Sequence, residues 1–194
     1  MKTTIFNTPL VTPAFRYFFR FSLRLFGWRV KGELPDIPKF VVVGAPHTSN
    51  WDFVIFLALA FILKGDLRYM GKAEIFRWPV GGFFRWCGGV PVDRSKPQGL
   101  VEQTVHAIRE ADRFQLVITP EGTRGKVRDW KRGFYHIAKQ ANIPVVAGYV
   151  DSRTKICGIG PTFRLTDDMD ADIIAMKAFF KDKVGINPGL TSEL

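Results

Sequence analysis

Cysteine is scarce. Cys87 and Cys157 are the only two in 194 residues, far apart and without Cys or His neighbours at zinc spacing. That spacing excludes a zinc module, and two isolated thiols fit a reducing compartment better than a disulfide framework. Acidic residues are in deficit, with 18 Asp and Glu against 28 Lys and Arg and a formal charge of +10. Long apolar runs are missing too. The longest, residues 53–63, has eleven residues, whereas a helix crossing a bilayer needs about 20. The first residues lack the basic, apolar and small-residue order of a signal peptide. No G-x-S-x-G elbow, H-E-x-x-H pair or P-loop occurs, and "GIGPTF" (158–163) lacks the third glycine of a dinucleotide loop. Repeats and low-complexity tracts are absent as well.

What is present reads as globular: 46% hydrophobic and 24% charged residues, in a length that suits one core. The positive charge points to an anionic partner, whether nucleic acid, an anionic membrane surface or a phosphorylated substrate. Residues 1–31 are expected to form an N-terminal amphipathic segment, and 32–194 a single domain. Within the first, Pro13 and Gly27 frame a helix carrying Arg16, Arg20 and Arg24 as one narrow stripe. Phenylalanines and leucines occupy most of its remaining circumference. Such a helix either packs on the domain with snorkelling arginines or lies in a membrane interface.

After a linker, "GELPDIP" (32–38), strands and helices alternate. "FVVVGA" (40–45) is a buried strand, and residues 51–64 form a helix apolar all round. "LRYMGK" and "VPVD" are short strands on either side of a broken helical stretch. A clean helix (97–112), a strand (114–122), a helix (130–142) and a strand (143–150) follow. The pattern predicts an α/β fold: a largely parallel central sheet flanked by helices, with an N-terminal amphipathic membrane-docking helix. Ligands of such sheets sit beyond the carboxyl ends of the strands. "PHTSNWD", "DR" (93–94) and "TPEGTR" (119–124) all fall there.

His47 in a loop and Asp52 in the first turn of a following helix can face each other, so that Asp52 orients the imidazole as a general base. Ser49 and Asp52 also match a capping box, which would leave Asp52 only capping its own helix. The "TPEGTR" loop offers free amides around Gly122 and the planar fork of Arg124 for a phosphate. Glu121, beside the basic run Arg124, Lys126, Arg128, Lys131 and Arg132, is expected to be ionised and to bind a substrate hydroxyl or tether Arg124. Arg94 sits at another strand end. A base beside a phosphate clamp suits activation of a hydroxyl on a phosphorylated alcohol. Cys87 has no local catalytic signature, and His106 and His136 read as structural.

"HTSNWD", "GGVPVDR", "TPEGTR" and "IPVV" resemble, in order and spacing, the four blocks of the glycerolipid acyltransferases, over roughly residues 38–163. The nearest group is the 1-acylglycerol-3-phosphate acyltransferases. The chain departs from the usual pattern at Thr119, where Phe is expected, and in the "TSNW" filling of the first block. The resemblance implies His47 as general base and Asp52 as its partner. It implies Arg94, Glu121, Gly122, Thr123 and Arg124, with Lys72, as the substrate-binding set. The implied reaction moves a fatty acyl group from acyl-CoA or acyl carrier protein to a lysophospholipid hydroxyl. No cofactor, metal or nucleic acid is implied. Backbone amides at 48–51 would receive the thioester oxyanion. Placement at the cytoplasmic face of a bacterial inner membrane, held peripherally, goes with that reading. The competing class is a non-enzymatic basic module binding anionic lipid or nucleic acid.

Overall fold

The computed structural model describes residues 3–93 and 97–192, with only the backbone of Pro97 and Gln98. In chain order the elements are α1 (Val11–Leu25), β1 (Arg29–Lys31), β2 (Lys39–Ala45), α2 (Asn50–Ile62) and β3 (Leu67–Lys72). A 3₁₀ turn (Ala73–Phe76), α3 (Gly81–Trp86), β4 (Gly89–Val92), α4 (Pro97–Glu110) and β5 (Phe114–Ile118) come next. The chain continues through α5 (Gly133–Ala141), β6 (Val145–Asp151), β7 (Ile156–Phe163) and α6 (Met169–Phe180). The strands form one sheet in the order β1-β7-β6-β2-β5-β3-β4. Every pairing is parallel except β6 with β7.

The centre of the sheet is buried on both faces, which is why β2 reads as an unbroken apolar run. Its alternation still sorts the core. Val41, Val43 and Ala45 face one layer with Val105 and Ile108 of α4, Phe134 of α5 and Met176 of α6. Phe40 and Val42 face the other way, toward Val146 and Ile159.

On that second face α2 lies between the sheet and α1. The Phe56 ring rests on Gly44 and Gly148, where an added Cβ would come within 2.9 Å and 3.1 Å of it. These two glycines let the helix approach the backbone and so set where its first turn lies. Outside, Phe61 stacks on Phe15 and Phe19 with ring centroids 5.2 and 5.5 Å apart. An all-round apolar α2 is therefore a helix covered on two sides.

The alternating α/β pattern is borne out, and three elements go beyond it. β1 falls inside the segment expected to stand apart, yet it pairs with β7 as an edge of the same sheet. β7 and α6 had no counterpart in the sequence reading. Cys87 and Cys157 are both free thiols.

Candidate active site

The site grows from two neighbouring parallel strands. β2 and β5 are paired up to Val43 and Ile118, so the loops that leave their carboxyl ends run side by side. The β2 loop carries His47 and enters α2 at its N-cap, Ser49. The β5 loop carries Thr119 to Arg124.

Asp52 is fully buried in the first turn of α2. Its Oδ2 accepts the backbone N–H groups of Thr48 at 2.6 Å and Ser49 at 2.7 Å. The same oxygen lies 3.2 Å from His47 Nδ1. The imidazole approaches off the hydrogen-bond line, as unliganded acid–base pairs often do. Asp52 therefore caps its own helix and faces the histidine at once. One carboxylate oxygen holds the loop backbone and stands against the ring beside it.

Glu121 does not stand among the cations of its loop, as the sequence suggested. It turns inward, buried to 1% exposure, and its Oε2 accepts the backbone N–H of His47 at 3.0 Å. Burial pushes its carboxyl pKa up, and the Asp52 charge adds to that, while the His47 contacts oppose it. No ion pair to Arg124 forms among the described residues. Gly122 has φ +66°, and a Cβ there would also meet the Lys131 side chain at 2.8 Å. This left-handed turn swings the chain back out, leaving Gly122, Thr123 and Arg124 exposed.

A cavity of about 680 Å³ opens against His47 and Arg124. Most of its wall is apolar, including Phe6, Phe53, Phe56, Leu57, Phe83 and Phe84. Its size lies in the range of small-molecule sites. Cys87 also lines it, but burial raises the thiol pKa and holds it away from the thiolate. The structure thus brings His47, Asp52, Glu121 and Arg124 together. Lys72 ends β3 and is exposed, without lining this cavity. Arg94 lies outside the described residues.

Amides at 48–51 were expected to receive an oxyanion. Those of Thr48 and Ser49 are engaged by Asp52, and that of Trp51 donates to Ser49 Oγ at 3.2 Å. That role does not fit these three amides.

The sequence profile of the family described as Acyltransferase matches residues 29–150, from the start of β1 into β6. The chain belongs to the acyltransferase family. Within it, a 1-acyl-sn-glycerol-3-phosphate acyltransferase of Streptococcus pneumoniae is 29% identical over 116 residues, covering 59% of this chain and 42% of that protein. The enzyme of the same name from Cocos nucifera is 35% identical over 106 residues, covering 52% and 33%. The chain thus spans less than half the length of these curated relatives. The crystal structure of the 1-acyl-sn-glycerophosphate (LPA) acyltransferase PlsC from Thermotoga maritima shares the fold. Its TM-score is 0.61 at 18% identity, over 87% of this chain and 76% of that one.

Proposed function

We propose that the protein transfers a fatty acyl group from a thioester donor to the free hydroxyl of a lysophospholipid, with 1-acylglycerol-3-phosphate as acceptor and phosphatidate as product. The observation that carries this reading is one cavity holding three unlike things. It has a carboxylate-backed imidazole, an exposed guanidinium and an apolar wall large enough for hydrocarbon. A lysophospholipid has a matching hydroxyl, phosphate and chain. The names of the curated relatives point to the same acceptor.

With Nδ1 turned to Asp52, His47 keeps Nε2 for the substrate. Nε2 takes the proton of the acceptor hydroxyl as its oxygen attacks the thioester carbon. The C–S bond then breaks, the ester forms, and the thiolate leaves with the proton returned from His47. Asp52 steadies the imidazolium formed on the way. Glu121 acts from behind, through the His47 backbone, rather than on the phosphate. Arg124 supplies the fork for phosphate oxygens, Lys72 adds an exposed cation at the end of β3, and Arg94, outside the described residues, is assigned to the same phosphate from its sequence block alone. A non-enzymatic basic module has no use for a buried carboxylate set behind a histidine.

The donor is an acyl thioester, carried by coenzyme A or by acyl carrier protein. Both substrates bring acyl chains, and the surface suits a peripheral position on the cytoplasmic face of an anionic membrane. Among the described residues no helix is long and apolar enough to cross a bilayer. Phe53 and Phe83 line the cavity and are each more than half exposed, so the cavity mouth itself has an aromatic rim. A panel of lysolipids against both donor types, read by product mass, tests the reading. Transfer to 1-acylglycerol-3-phosphate that vanishes in His47→Ala is expected. No ester product from any lysolipid would overturn it.

A further inference from the structure

The segment after α6 lies beyond the matched family region, yet it reaches the site. It is first tied to the end of β6. Ser152 donates its backbone N–H to Val184 O at 2.8 Å and its hydroxyl to Gly185 O at 2.6 Å. Val184 donates its backbone N–H to Asp151 Oδ1 at 3.3 Å. The turn then closes on itself, with Gly185 N–H donating to Thr191 Oγ1 at 2.9 Å.

From that base Asn187 grips the residue next to the histidine. Its side-chain Nδ2 donates to the Thr48 carbonyl at 2.8 Å, and its backbone N–H donates to Thr48 Oγ1 at 3.0 Å. Thr48 is only 2% exposed, and its own N–H goes to Asp52. Gly185 packs so closely that a Cβ there would stand 2.4 Å from Thr48 Cγ2. Farther along, Ser192 Oγ accepts the backbone N–H of Val127 at 3.1 Å, just past the loop that carries Arg124. One short segment therefore holds the loops from both strands.

We propose that residues 184–192 form a clip that positions His47, with Asn187 as the positioning residue acting through Thr48. Thr48 is held between Asp52 on one side and Asn187 on the other, so His47 is attached to a backbone fixed from two directions. Without Asn187, the Thr48 carbonyl loses its donor and the peptide can rotate, carrying the imidazole off its line to the acceptor hydroxyl. Small misplacements of this kind cost rate more than binding. The inference rests on the acyl-transfer reading of His47 for its kinetic arm only.

The test uses the full chain with Asn187→Ala and Ser192→Ala. Asn187 is exposed and outside the core, so the fold should persist, and thermal melting checks this. Well below the melting point, Asn187→Ala should lower kcat by roughly 10- to 100-fold with both KM values nearly unchanged. Ser192→Ala, which frees only the far end of the clip, should lower kcat less. Independently of activity, amide hydrogen exchange at Thr48 and Ser49 should quicken about tenfold in Asn187→Ala, with the central strands unchanged. If the wild type transfers nothing while this exchange still quickens, the functional reading fails and the clip stands. Unchanged exchange at Thr48 and Ser49 in Asn187→Ala would overturn the clip. So would a loss of kcat matched by a global loss of stability, with exchange quickened everywhere.

Discussion

Asp52 Oδ2 lies 3.2 Å from His47 Nδ1 while accepting two backbone N–H groups of the loop that carries the histidine. Capping the helix and facing the histidine, opposed readings of the same residue in the sequence, are one arrangement here. The two duties separate by mutation. His47→Ala should abolish transfer, with a loss of roughly 10²–10⁴ in rate and little change in folding. Asp52→Asn should cost rate on a similar scale, because it keeps an acceptor for the cap but removes the charge behind the ring. Asp52→Ala should add a stability loss of about 1 kcal/mol from the missing cap. Kinetics alongside denaturant melts distinguish these outcomes, and a folded Asp52→Asn enzyme at full speed would remove Asp52 from the mechanism.

Glu121 makes stability depend on pH. Its folded pKa is raised above the ordinary 4.5, chiefly by burial. Between that ordinary value and the raised one, the folded protein holds a proton that the unfolded chain has already released. Its contribution to stability is complete below about pH 4.5 and is lost as pH rises through the raised folded value. Glu121→Gln cannot titrate and escapes that loss. Denaturation of both proteins between about pH 4 and about pH 7 should show the balance moving toward the Gln variant as pH rises. A gap that stays flat would mean that the carboxyl titrates alike in both states.

How far the sequence reveals this site depends on the range of the interactions. The His47–Asp52 pair is readable because loop and first helical turn are contiguous and Ser49 marks the helix start. The inward turn of Glu121 is not, since it depends on β5 lying beside β2, which joins His47 and Glu121 across 74 positions of the chain. β7 was hidden for a local reason: its "GIGPTF" end has two glycines and a proline, residues that usually break strands, and past Gly158, where the pairing with β1 stops, one side of the strand has no β1 partner and tolerates them. α6 opens with Asp168, Asp170 and Asp172, whose charges mask the apolar face formed by Ile173, Met176 and Phe180. Asp168 does cap it, accepting from Ala171 N–H at 3.0 Å, a start signal that the sequence displays.

Arg124 is exposed and shares the cavity wall with His47, so its loss should weaken the acceptor selectively. Arg124→Ala should raise the KM for a phosphorylated acceptor by roughly 10-fold or more, with the donor KM within about twofold. An acceptor without the phosphate should be nearly indifferent to the change. Steady-state kinetics with matched acceptors settles it. Equal shifts in both KM values would mean that Arg124 supports the loop instead of the phosphate.

The last prediction concerns α1, whose two expected roles fall on different faces of the same helix. Phe19 and Leu23 are buried, and the Arg16 Nε–H donates to Phe61 O at 2.9 Å, so one arginine of the stripe serves packing. Tyr17, Phe18, Phe21 and Leu25 are more than half exposed, beside the exposed Arg20 and Arg24. This face should lie in the headgroup region of an anionic bilayer. Apolar burial supplies the main attraction, and each arginine near the surface adds about 1 kcal/mol. Deleting residues 1–30 would be a poor test, because Phe6 lines the cavity and β1 belongs to the sheet. Phe18→Ser, Phe21→Ser and Leu25→Ser combined leave those contacts in place. Co-sedimentation of this variant with anionic vesicles should fall severalfold at unchanged melting temperature, since each lost side chain removes on the order of 1 kcal/mol of burial. Binding as tight as that of the wild type would move the membrane contact to the aromatic rim around Phe53 and Phe83.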